Sequence, residues 1–379
     1  MAEERTVVVA PDSFKGSLPA AAVASAIAEG WATARPNDRL ACVPLADGGE
    51  GTMDGVEAAV RGARRHTVRG VSGPDGRPVD ADWLELPDRT ALVELAAVSG
   101  LPQMARLDPL GATTRGLGQL IAAACDAGSE RLLITLGGSA TSDGATGAFR
   151  ELGLVLRDAA GEELDDGGGA LADLATVDPS GLRPPPPGGV EILTDVDNPL
   201  LGERGAAAVF GPQKGLPEAD VPRLDAAAER MAGLLLRTLE RPLESVEEPG
   251  AGAAGGLGFG LRAAYGARFV SGFDLVSAWL CMPERMGHAD WVISGEGGFD
   301  TGSLRGKGPG AILKLAQGQG KRCSVVAGRI DDRARQEVEE EGWNWDWIEV
   351  TPRDQPLEEA LPGTARNIRG RVADFCRHV

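Results

Sequence analysis

The stretch Val7-Val8-Val9-Ala10-Pro11-Asp12-Ser13-Phe14-Lys15-Gly16 begins as a short apolar run and continues into a polar turn that contains glycine. An alanine-rich segment, 20–31, follows it and is typical of a helix. A strand, a turn and a helix in this order open a parallel α/β unit. The pattern occurs a second time, because the predicted strand 40–45 leads through a glycine-rich turn into the helical segment 53–60.

The same pattern returns near residue 290. The segments 290–294, 323–327 and 345–350 each predict a strand, and glycine-bearing turns follow the first two. Two early and three late strands together predict a five-stranded, doubly wound parallel sheet built from both ends of the chain.

The middle of the chain has a different pattern. Three short extended stretches within 66–95 are separated by turn sequences and predict antiparallel hairpins. Apolar runs at 132–136 and 190–193 predict further strands. The middle section is therefore expected to be a mixed α/β domain.

The length of 379 residues agrees with two domains, at roughly 150 residues per domain. We predict one α/β domain formed by 1–65 and 286–379, and a second, mixed α/β domain inserted at 66–285. Two domains of this kind are expected to hold a ligand in a cleft between them.

Composition limits the partners and the compartment. The net charge of −18 disfavours nucleic acid or an anionic membrane as a partner. No uncharged run approaches the roughly 18 residues needed to cross a bilayer, and Met1–Arg5 is not typical of a signal peptide. The five cysteines have no C-x-x-C spacing, which disfavours a disulfide framework and a structural zinc site. We expect a cytoplasmic protein, either a monomer or a homodimer.

Glycine is the compositional outlier. Its 54 residues are about 14% of the chain, roughly twice the average usage. Glycine lets backbone N–H groups approach an anion, and a helix that begins there adds its dipole. Seven patches therefore favour a phosphate ligand, although each alone could be a tight turn; they are 47–52, 111–118, 137–144, 167–169, 202–215, 250–260 and 295–308.

The lysines strengthen this interpretation. Of the 38 basic residues 33 are arginine and only five are lysine. Three of the five, Lys15, Lys214 and Lys307, are directly followed by glycine. An ammonium group on an open loop is a suitable ligand for phosphate or carboxylate, and an ordinary surface lysine is the alternative.

Several carboxylates follow predicted strands or lie in the glycine-rich turns. Asp195 and Asp197 are two residues apart, so on an extended segment their side chains point the same way. Such a pair can hold Mg²⁺, accept a proton from a hydroxyl, or do both. Helix capping is the alternative role for carboxylates such as Asp47, Asp143 and Asp300.

Other sites are poorly supported. The segment 302–308 lacks the Ser or Thr and the glycine spacing of a Walker A loop, and the first strand is not followed by G-x-G-x-x-G. The three histidines are isolated from any serine or cysteine motif, which argues against a hydrolase triad.

Taken together, these motifs resemble those of the type I glycerate kinase family, bacterial enzymes of glycolate and sugar-acid breakdown. The resemblance runs from residue 7 to about 330 and comprises eight ordered segments. The segments are 8–17, 46–52, 108–114, 136–141, 194–202, 209–215, 250–256 and 293–297.

The resemblance implies transfer of the γ-phosphoryl group of ATP to a hydroxyl of D-glycerate with Mg²⁺, giving 2-phosphoglycerate. It also implies a flavodoxin-like domain with a second α/β domain inserted. A related hydroxy acid as substrate, or phosphorylation at the 3-position, is the nearest alternative. A phosphatase or a non-catalytic nucleotide sensor could use similar loops, and neither would release ADP in response to glycerate.

The resemblance supplies positions and not individual roles, so we assign the roles as hypotheses from the chemistry of phosphoryl transfer. The catalytic set is Lys15, Asp195 and Asp197. The substrate-binding set is Asp12, Ser13, Asp47, Glu50, Arg115, Asn198 and Lys214. The ATP-binding set is Gly137, Gly138, Ser139, Gly295, Glu296 and Lys307. The candidate Mg²⁺ ligands are Asp195, Asp197 and Glu296.

The sequence departs from the family pattern at three places. Ser142 and Ala145 stand where Asn and Gly are usual, and Gln119 stands where Glu is usual. Gly298-Phe299 replaces an Arg-Ile pair, which removes an arginine beside Glu296 that could clamp phosphate or carboxylate. These departures concern residues that would contact the substrate and do not affect the predicted fold.

Overall fold

The computed structural model describes residues 4–45, 49, 51–305, 308–351 and 361–379. The strands are β1 (Thr6–Val9), β2 (Arg39–Cys42), β3 (Arg64–Ser72), β4 (Pro78–Glu85), β5 (Thr90–Glu94), β6 (Arg131–Thr135), β7 (Val155–Arg157), β8 (Thr176–Asp178), β9 (Val190–Leu193), β10 (Arg268–Val270), β11 (Trp291–Ser294), β12 (Gly298–Phe299), β13 (Arg322–Ala327), β14 (Arg329–Ile330) and β15 (Asp346–Glu349).

The α-helices are α1 (Ala20–Ala34), α2 (Thr52–Ala59), α3 (Ala96–Ser99), α4 (Arg115–Asp126), α5 (Thr146–Glu151), α6 (Ala206–Phe210), α7 (Val221–Thr238), α8 (Ala253–Tyr265), α9 (Gly272–Trp279), α10 (Met282–Gly287), α11 (Thr301–Arg305), α12 (Pro309–Gly318), α13 (Asp332–Glu340) and α14 (Thr364–Cys376). Among the described helices, none is both long and apolar enough to cross a membrane.

The chain divides into two compact units. The chain-end unit comprises 1–47, 54–59 and 273–379, and the inserted unit comprises 48–53 and 60–272. Both boundaries differ from the predicted ones. The segments 48–53 and 60–65 group with the inserted unit, and 273–285 groups with the chain-end unit. For 273–285 the reason is that α10 packs against α12 of the chain-end unit and buries Met282 and Met286.

The chain-end unit contains the predicted five-stranded sheet. Its strand order is β2-β1-β11-β13-β15 and every pair is parallel. Numbered within this sheet alone, the order is 2-1-3-4-5, which is the flavodoxin-like order. The doubly wound fold expected from the two chain ends is therefore confirmed.

Helices cover this sheet because successive side chains of a strand face opposite sides. Val7 and Val9 of β1 pack in one apolar cluster with Ile27 of α1 and Ile368 of α14. Helix α12 packs against β11 and β13. Helix α1 begins after Pro19 and ends before Pro36, because proline is tolerated at a helix start and cannot continue the helix.

The inserted unit contains a six-stranded mixed sheet. Its order is β10-β9-β6-β5-β4-β3. The β3–β4 and β4–β5 pairs are antiparallel, as the hairpin prediction requires, and β5, β6, β9 and β10 pair in parallel. Leu117, Leu120 and Ile121 of α4 are buried in the same cluster as Val93 and Ile134 of the sheet.

Candidate functional site

A pocket of about 130 Å³ lies in the inserted unit at the carboxyl edge of its parallel strands. Leu136–Ser139 follow β6 and Thr194 follows β9, and these two strands are adjacent and parallel. The ends of neighbouring parallel strands meet at one edge of a sheet, where α/β proteins bind ligands. We call it the Lys214 pocket; it is lined by Leu136, Gly137, Gly138, Ser139, Thr194, Val196, Phe210, Gln213, Lys214, Ala253 and Ala254.

Gly137, Gly138 and Ser139 form one wall of this pocket. Gly138 has a φ of 73°, a left-handed conformation that glycine adopts readily. Ser139 Oγ lies 3.1 Å from Thr141 Oγ1 and accepts a 3.1 Å hydrogen bond from the Thr141 N–H. The predicted phosphate-binding loop is therefore a fixed turn.

Lys214 is the buried cation of the pocket. It ends a short 3₁₀ turn, Pro212–Lys214, and is only 2% exposed. Its Nζ donates a 2.5 Å hydrogen bond to the main-chain carbonyl of Thr141. Burial lowers the pKa of Lys214 to about 7, while the charge of Asp143 opposes this change.

Asp143 is the buried anion near Lys214. Its Oδ2 accepts hydrogen bonds from the Thr114 N–H (2.8 Å), the Thr114 hydroxyl (2.8 Å) and the Gly147 N–H (3.2 Å). Its Oδ1 is buried and has no hydrogen-bond partner among the described residues. Burial raises the pKa of the Asp143 carboxyl, and these hydrogen bonds oppose the rise.

The segment 194–198 brings the two predicted catalytic aspartates to the same edge of the sheet. Asp195 is exposed, and its Oδ1 accepts a 3.0 Å hydrogen bond from the Ser271 hydroxyl, which follows β10. Asp197 is exposed and pairs with Arg204 at 3.4 Å. Asn198 Nδ2 donates a 2.8 Å hydrogen bond to the carbonyl of Arg204.

Arg115 does not line the Lys214 pocket. Its guanidinium donates to Asp166 at 2.6 Å and to Glu151 at 2.5 Å. Gln119, one helical turn later, donates to Glu151 at 3.2 Å and accepts from the Ser72 N–H at 2.8 Å. A glutamate at 119 would place its carboxylate against Glu151, so glutamine suits this network.

Four predicted residues lie together in the chain-end unit. Asp12 and Ser13 follow β1, and Gly295 and Glu296 follow β11. The Asp12 N–H donates 2.8 Å to the Gly295 carbonyl, and the Ser13 N–H donates 2.6 Å to Asp12 Oδ1. In the order 2-1-3-4-5, β1 and β11 flank the point where the winding direction reverses, which is the usual ligand edge of this fold.

Lys15 belongs to the same loop, and its side chain is exposed. Phe299, which replaces an Ile of the family pattern, is buried and packs edge-on against Trp347. Asp47, Glu50 and Lys307, which the sequence also placed in the site, lie outside the described residues.

The candidate Mg²⁺ ligands do not form a complete cage. In the described part of the chain, no group of three or more His, Cys, Asp or Glu residues could hold a metal ion. Mg²⁺ commonly keeps several waters and binds through one or two carboxylates plus substrate phosphates. Asp195 and Asp197 are exposed carboxylates, the type of protein ligand that this ion takes in such sites.

Sequence reasoning missed Glu94. This residue ends β5 and is 4% exposed. Its carboxylate accepts hydrogen bonds from the main-chain N–H groups of Gly51 (2.5 Å) and Met53 (3.2 Å). The sequence does contain one indication of this residue: an acidic side chain directly follows the mostly apolar run Thr90-Ala91-Leu92-Val93.

Residues 7–379 match the family model described as "Glycerate kinase family". A protein named glycerate 2-kinase from Escherichia coli K12 is 42% identical over 330 residues, which are 86% of each chain. A protein named glycerate kinase from Bacillus subtilis 168 is 39% identical over 377 residues, which are 98% of this chain and 97% of that one.

A solved structure is similar over almost the whole fold. It is described as a candidate glycerate kinase 2 from Salmonella typhimurium LT2 and is 38% identical to this chain. The two align with a TM-score of 0.76, covering 99% of this chain and 98% of that one.

Proposed function

Because the chain belongs to the glycerate kinase family, we propose that it transfers the γ-phosphoryl group of ATP to D-glycerate with Mg²⁺, giving 2-phosphoglycerate. The family makes the protein a kinase that uses ATP and a small-molecule substrate. The choice of the 2-position is supported by the 42% identity to a protein named glycerate 2-kinase.

The observation that carries the proposal is the pairing of Lys214 with the Gly137–Ser139 turn in one pocket. Phosphoryl transfer requires mainly alignment and neutralisation of charge. A buried ammonium beside a glycine-rich turn supplies a positive charge at a place where few waters compete. The volume of about 130 Å³ suits a carboxylate or a single phosphoryl group and is too small for a whole nucleotide.

We assign the proton transfer to the 194–198 segment. Asp195 or Asp197 accepts the proton of the attacking glycerate hydroxyl, or holds Mg²⁺. The hydrogen bond from Ser271 fixes one carboxylate oxygen of Asp195. When bound, Mg²⁺ would neutralise charge on the phosphoryl oxygens.

We assign a second set of roles to Asp12, Ser13, Lys15, Gly295 and Glu296, which we call the chain-end cluster. Lys15 is an exposed ammonium in the same loop as Asp12 and Ser13. We assign Lys15 to the phosphate oxygens, Asp12 and Ser13 to glycerate, and the Gly295–Glu296 turn to ATP. Among the cations of the described region we assign Lys214, not Arg115, to the anionic group of the substrate, because two carboxylates occupy the Arg115 guanidinium.

The activity is tested by ADP release with D-glycerate, L-glycerate, glycolate and tartronate, each with and without Mg²⁺. The proposal expects Mg²⁺-dependent ADP release with D-glycerate. The position of phosphorylation is read by ³¹P NMR without proton decoupling. A phosphate on C2 couples to one proton and gives a doublet, whereas a phosphate on C3 couples to two protons and gives a triplet.

The residue assignments are tested by Asp195→Asn and Lys15→Ala, made in separate proteins. Each is expected to lower kcat by at least about 100-fold, the scale of a lost proton acceptor or phosphate cation. Asp374→Asn and Lys314→Ala are matched controls outside both clusters and should keep normal turnover. If both site variants stay folded and turn over normally, the assignment is wrong.

A further inference from the structure

The ammonium group of Lys214 has more N–H donors than hydrogen bonds among the described residues. A lysine ammonium has three N–H donors, and the carbonyl of Thr141 takes one of them. Among the described residues no second acceptor lies within hydrogen-bonding distance of Nζ. The side chain is nevertheless 2% exposed and lines the Lys214 pocket, so its remaining donors are available to a molecule that enters there.

Asp143 is held more rigidly than an ordinary surface carboxylate. It accepts from the N–H of Thr114, which precedes α4, and from the N–H of Gly147 in α5. Two helix starts and the Thr114 hydroxyl thus fix the orientation of the group. The second oxygen, Oδ1, has none of the described residues as a partner, although no solvent reaches it.

Few charged groups lie near Lys214 in the described part of the chain. Asp143 lies two residues after Thr141, whose carbonyl accepts the hydrogen bond from Lys214 Nζ, and both Asp143 and Lys214 are buried. Among the described residues, the Asp143 carboxylate is the charge that raises the pKa of Lys214 against burial. The segment 194–198 contributes Asp195 and Asp197, which are exposed and bonded to Ser271 and Arg204. The other lining residues, Phe210, Gln213, Ala253 and Ala254, are neutral.

We propose that Asp143 is a positioning residue for Lys214: the fixed carboxylate keeps the buried ammonium charged, and the ammonium then binds the anionic group of the ligand in the pocket. This inference rests on the proposed function, since carboxylate and phosphate are the anionic groups of glycerate and ATP. Asp143 does not touch the ligand, because it is fully buried and does not line the pocket.

The charge on Asp143 affects the pH at which Lys214 loses its proton. Burial has brought the pKa of Lys214 to about 7, so the ammonium loses its proton as the pH rises through that value. Asparagine at 143 keeps the size of the side chain and removes the negative charge. The pKa of Lys214 should then fall further, and the pocket should lose its cation at a lower pH.

The first test measures kcat/KM against pH, from 5.5 to 9, separately for D-glycerate and for ATP. In the unsubstituted protein, kcat/KM for one of the two is expected to fall tenfold per pH unit above about 7, which identifies the anionic group that Lys214 binds. Asp143→Asn should move this fall at least one pH unit lower. Lys214→Met should lower kcat/KM for the same substrate at least 100-fold at pH 6, and Lys214→Arg should retain activity with no fall near pH 7.

Asp225→Asn is the matched control. Asp225 is a partly buried carboxylate of the same unit that accepts from the Gly202 N–H. Its variant should keep the pH profile unchanged. If Asp143→Asn lowers kcat/KM equally at every pH and does not move the midpoint, Asp143 has only a structural role and the inference is wrong.

A second readout does not depend on activity. The chain has only five lysines, so ¹³Cε-lysine labelling gives a spectrum of few signals, and Lys214→Arg identifies the one from Lys214. That signal should titrate near pH 7 and should move to lower pH in Asp143→Asn. An unchanged midpoint in the folded variant would overturn the inference even if the kinase is active.

The two proposals can fail separately. If the protein releases no ADP with D-glycerate, the proposed function fails. The lysine titration in Asp143→Asn then still decides the role of Asp143, and calorimetric binding of D-glycerate or ATP at pH 6 and pH 8 decides whether Lys214 binds the anionic group. If the unsubstituted protein binds more weakly at pH 8 than at pH 6, and Lys214→Met does not bind at either pH, Lys214 binds the anionic group. Equal binding by the unsubstituted protein at both pH values contradicts this.

Discussion

Gly255 packs against the main-chain carbonyl of Thr141 so closely that a Cβ atom at position 255 would lie 2.2 Å from the carbonyl oxygen. The same oxygen accepts the hydrogen bond from Lys214 Nζ. Gly255 also has a φ of 68°, which lies in the left-handed region. The position of the buried cation therefore depends on the absence of a side chain at residue 255.

Gly255→Ala should destabilise the protein and impair the pocket. The left-handed φ costs an alanine about 1–2 kcal/mol, and relieving the contact with Thr141 adds about 1–3 kcal/mol. We expect a raised KM for the substrate that Lys214 binds, measured together with the urea midpoint.

Gly266→Ala is the control for this substitution. Gly266 directly follows α8 and has a φ of 63°, and nothing lies within 4 Å of a Cβ built there. It should show the backbone cost alone, with KM unchanged. Equal effects of the two variants on KM would mean that the contact with Thr141 does not position Lys214.

The chain-end cluster depends on a second close contact. A Cβ at Gly295 would lie 1.7 Å from the carbonyl oxygen of Val326 on the neighbouring strand β13. Gly295→Ala should therefore displace the turn that carries Glu296 and should lower kcat/KM at least tenfold. Gly298→Ala has open space for its Cβ and should leave kcat/KM within twofold. Normal kinetics in a folded Gly295→Ala protein would remove this turn from the site.

Glu94 should fix the loop that begins α2. Glutamine at 94 keeps one acceptor oxygen and directs an NH₂ group toward the N–H of Gly51 or Met53, which leaves donors unpaired in a buried place. The expected cost is about 1–3 kcal/mol of unfolding free energy. Glu130→Gln, on an exposed carboxylate paired with Arg89, should change stability by less than about 0.5 kcal/mol. Equal stability of the two variants in urea would contradict the role of Glu94.

The sequence and the structure suggest different roles for Arg115: substrate binding in the first case and a structural ion pair in the second. Its side chain is about one-third exposed and joins Glu151 to Asp166, so Arg115→Gln should cost about 1 kcal/mol of stability and leave the KM for D-glycerate within twofold. A tenfold rise in that KM with an unchanged kcat would show instead that Arg115 binds the substrate carboxylate, as the sequence predicts.

The fold could be predicted because its strands are short apolar runs with clear ends. Val7–Ala10 and Asp290–Ser294 each predict a strand, and the structure pairs β1 with β11 across almost the whole chain. The boundary near 273–285 could not be predicted in the same way, because nothing in the sequences of α9 and α10 indicates which unit these helices pack against.

The site was only partly predictable. Glycine patches and rare lysines indicate the Gly137–Ser139 turn and Lys214, and the structure places both in one pocket. The sequence does not indicate the buried hydrogen bonds of the site. Asp143 and Thr114 are 29 residues apart in the chain, and Thr141 and Lys214 are 73 residues apart. Such contacts arise from tertiary packing, and no local spacing encodes them.

The burial of Lys214 also makes stability depend on pH. In the unfolded chain its pKa is near 10.4, and in the folded protein it is about 7. Between these values the unfolded state binds the extra proton, so the free energy of unfolding rises with pH, by up to about 1.4 kcal/mol per pH unit. Below pH 7 both states carry the proton and this contribution has no slope.

Lys214→Met should abolish this rise. Urea unfolding at pH 7.5, 8.5 and 9.5 should show the stability of the unsubstituted protein increasing relative to that of the variant at each step. Burial raises the pKa of Cys323 and of Cys376 to about 12, which favours unfolding at high pH, but both thiols are present in the two proteins and cancel in the difference. A constant difference across the three pH values would mean that Lys214 keeps its ordinary pKa, and the ammonium would then stay charged throughout the range in which the kinase is assayed.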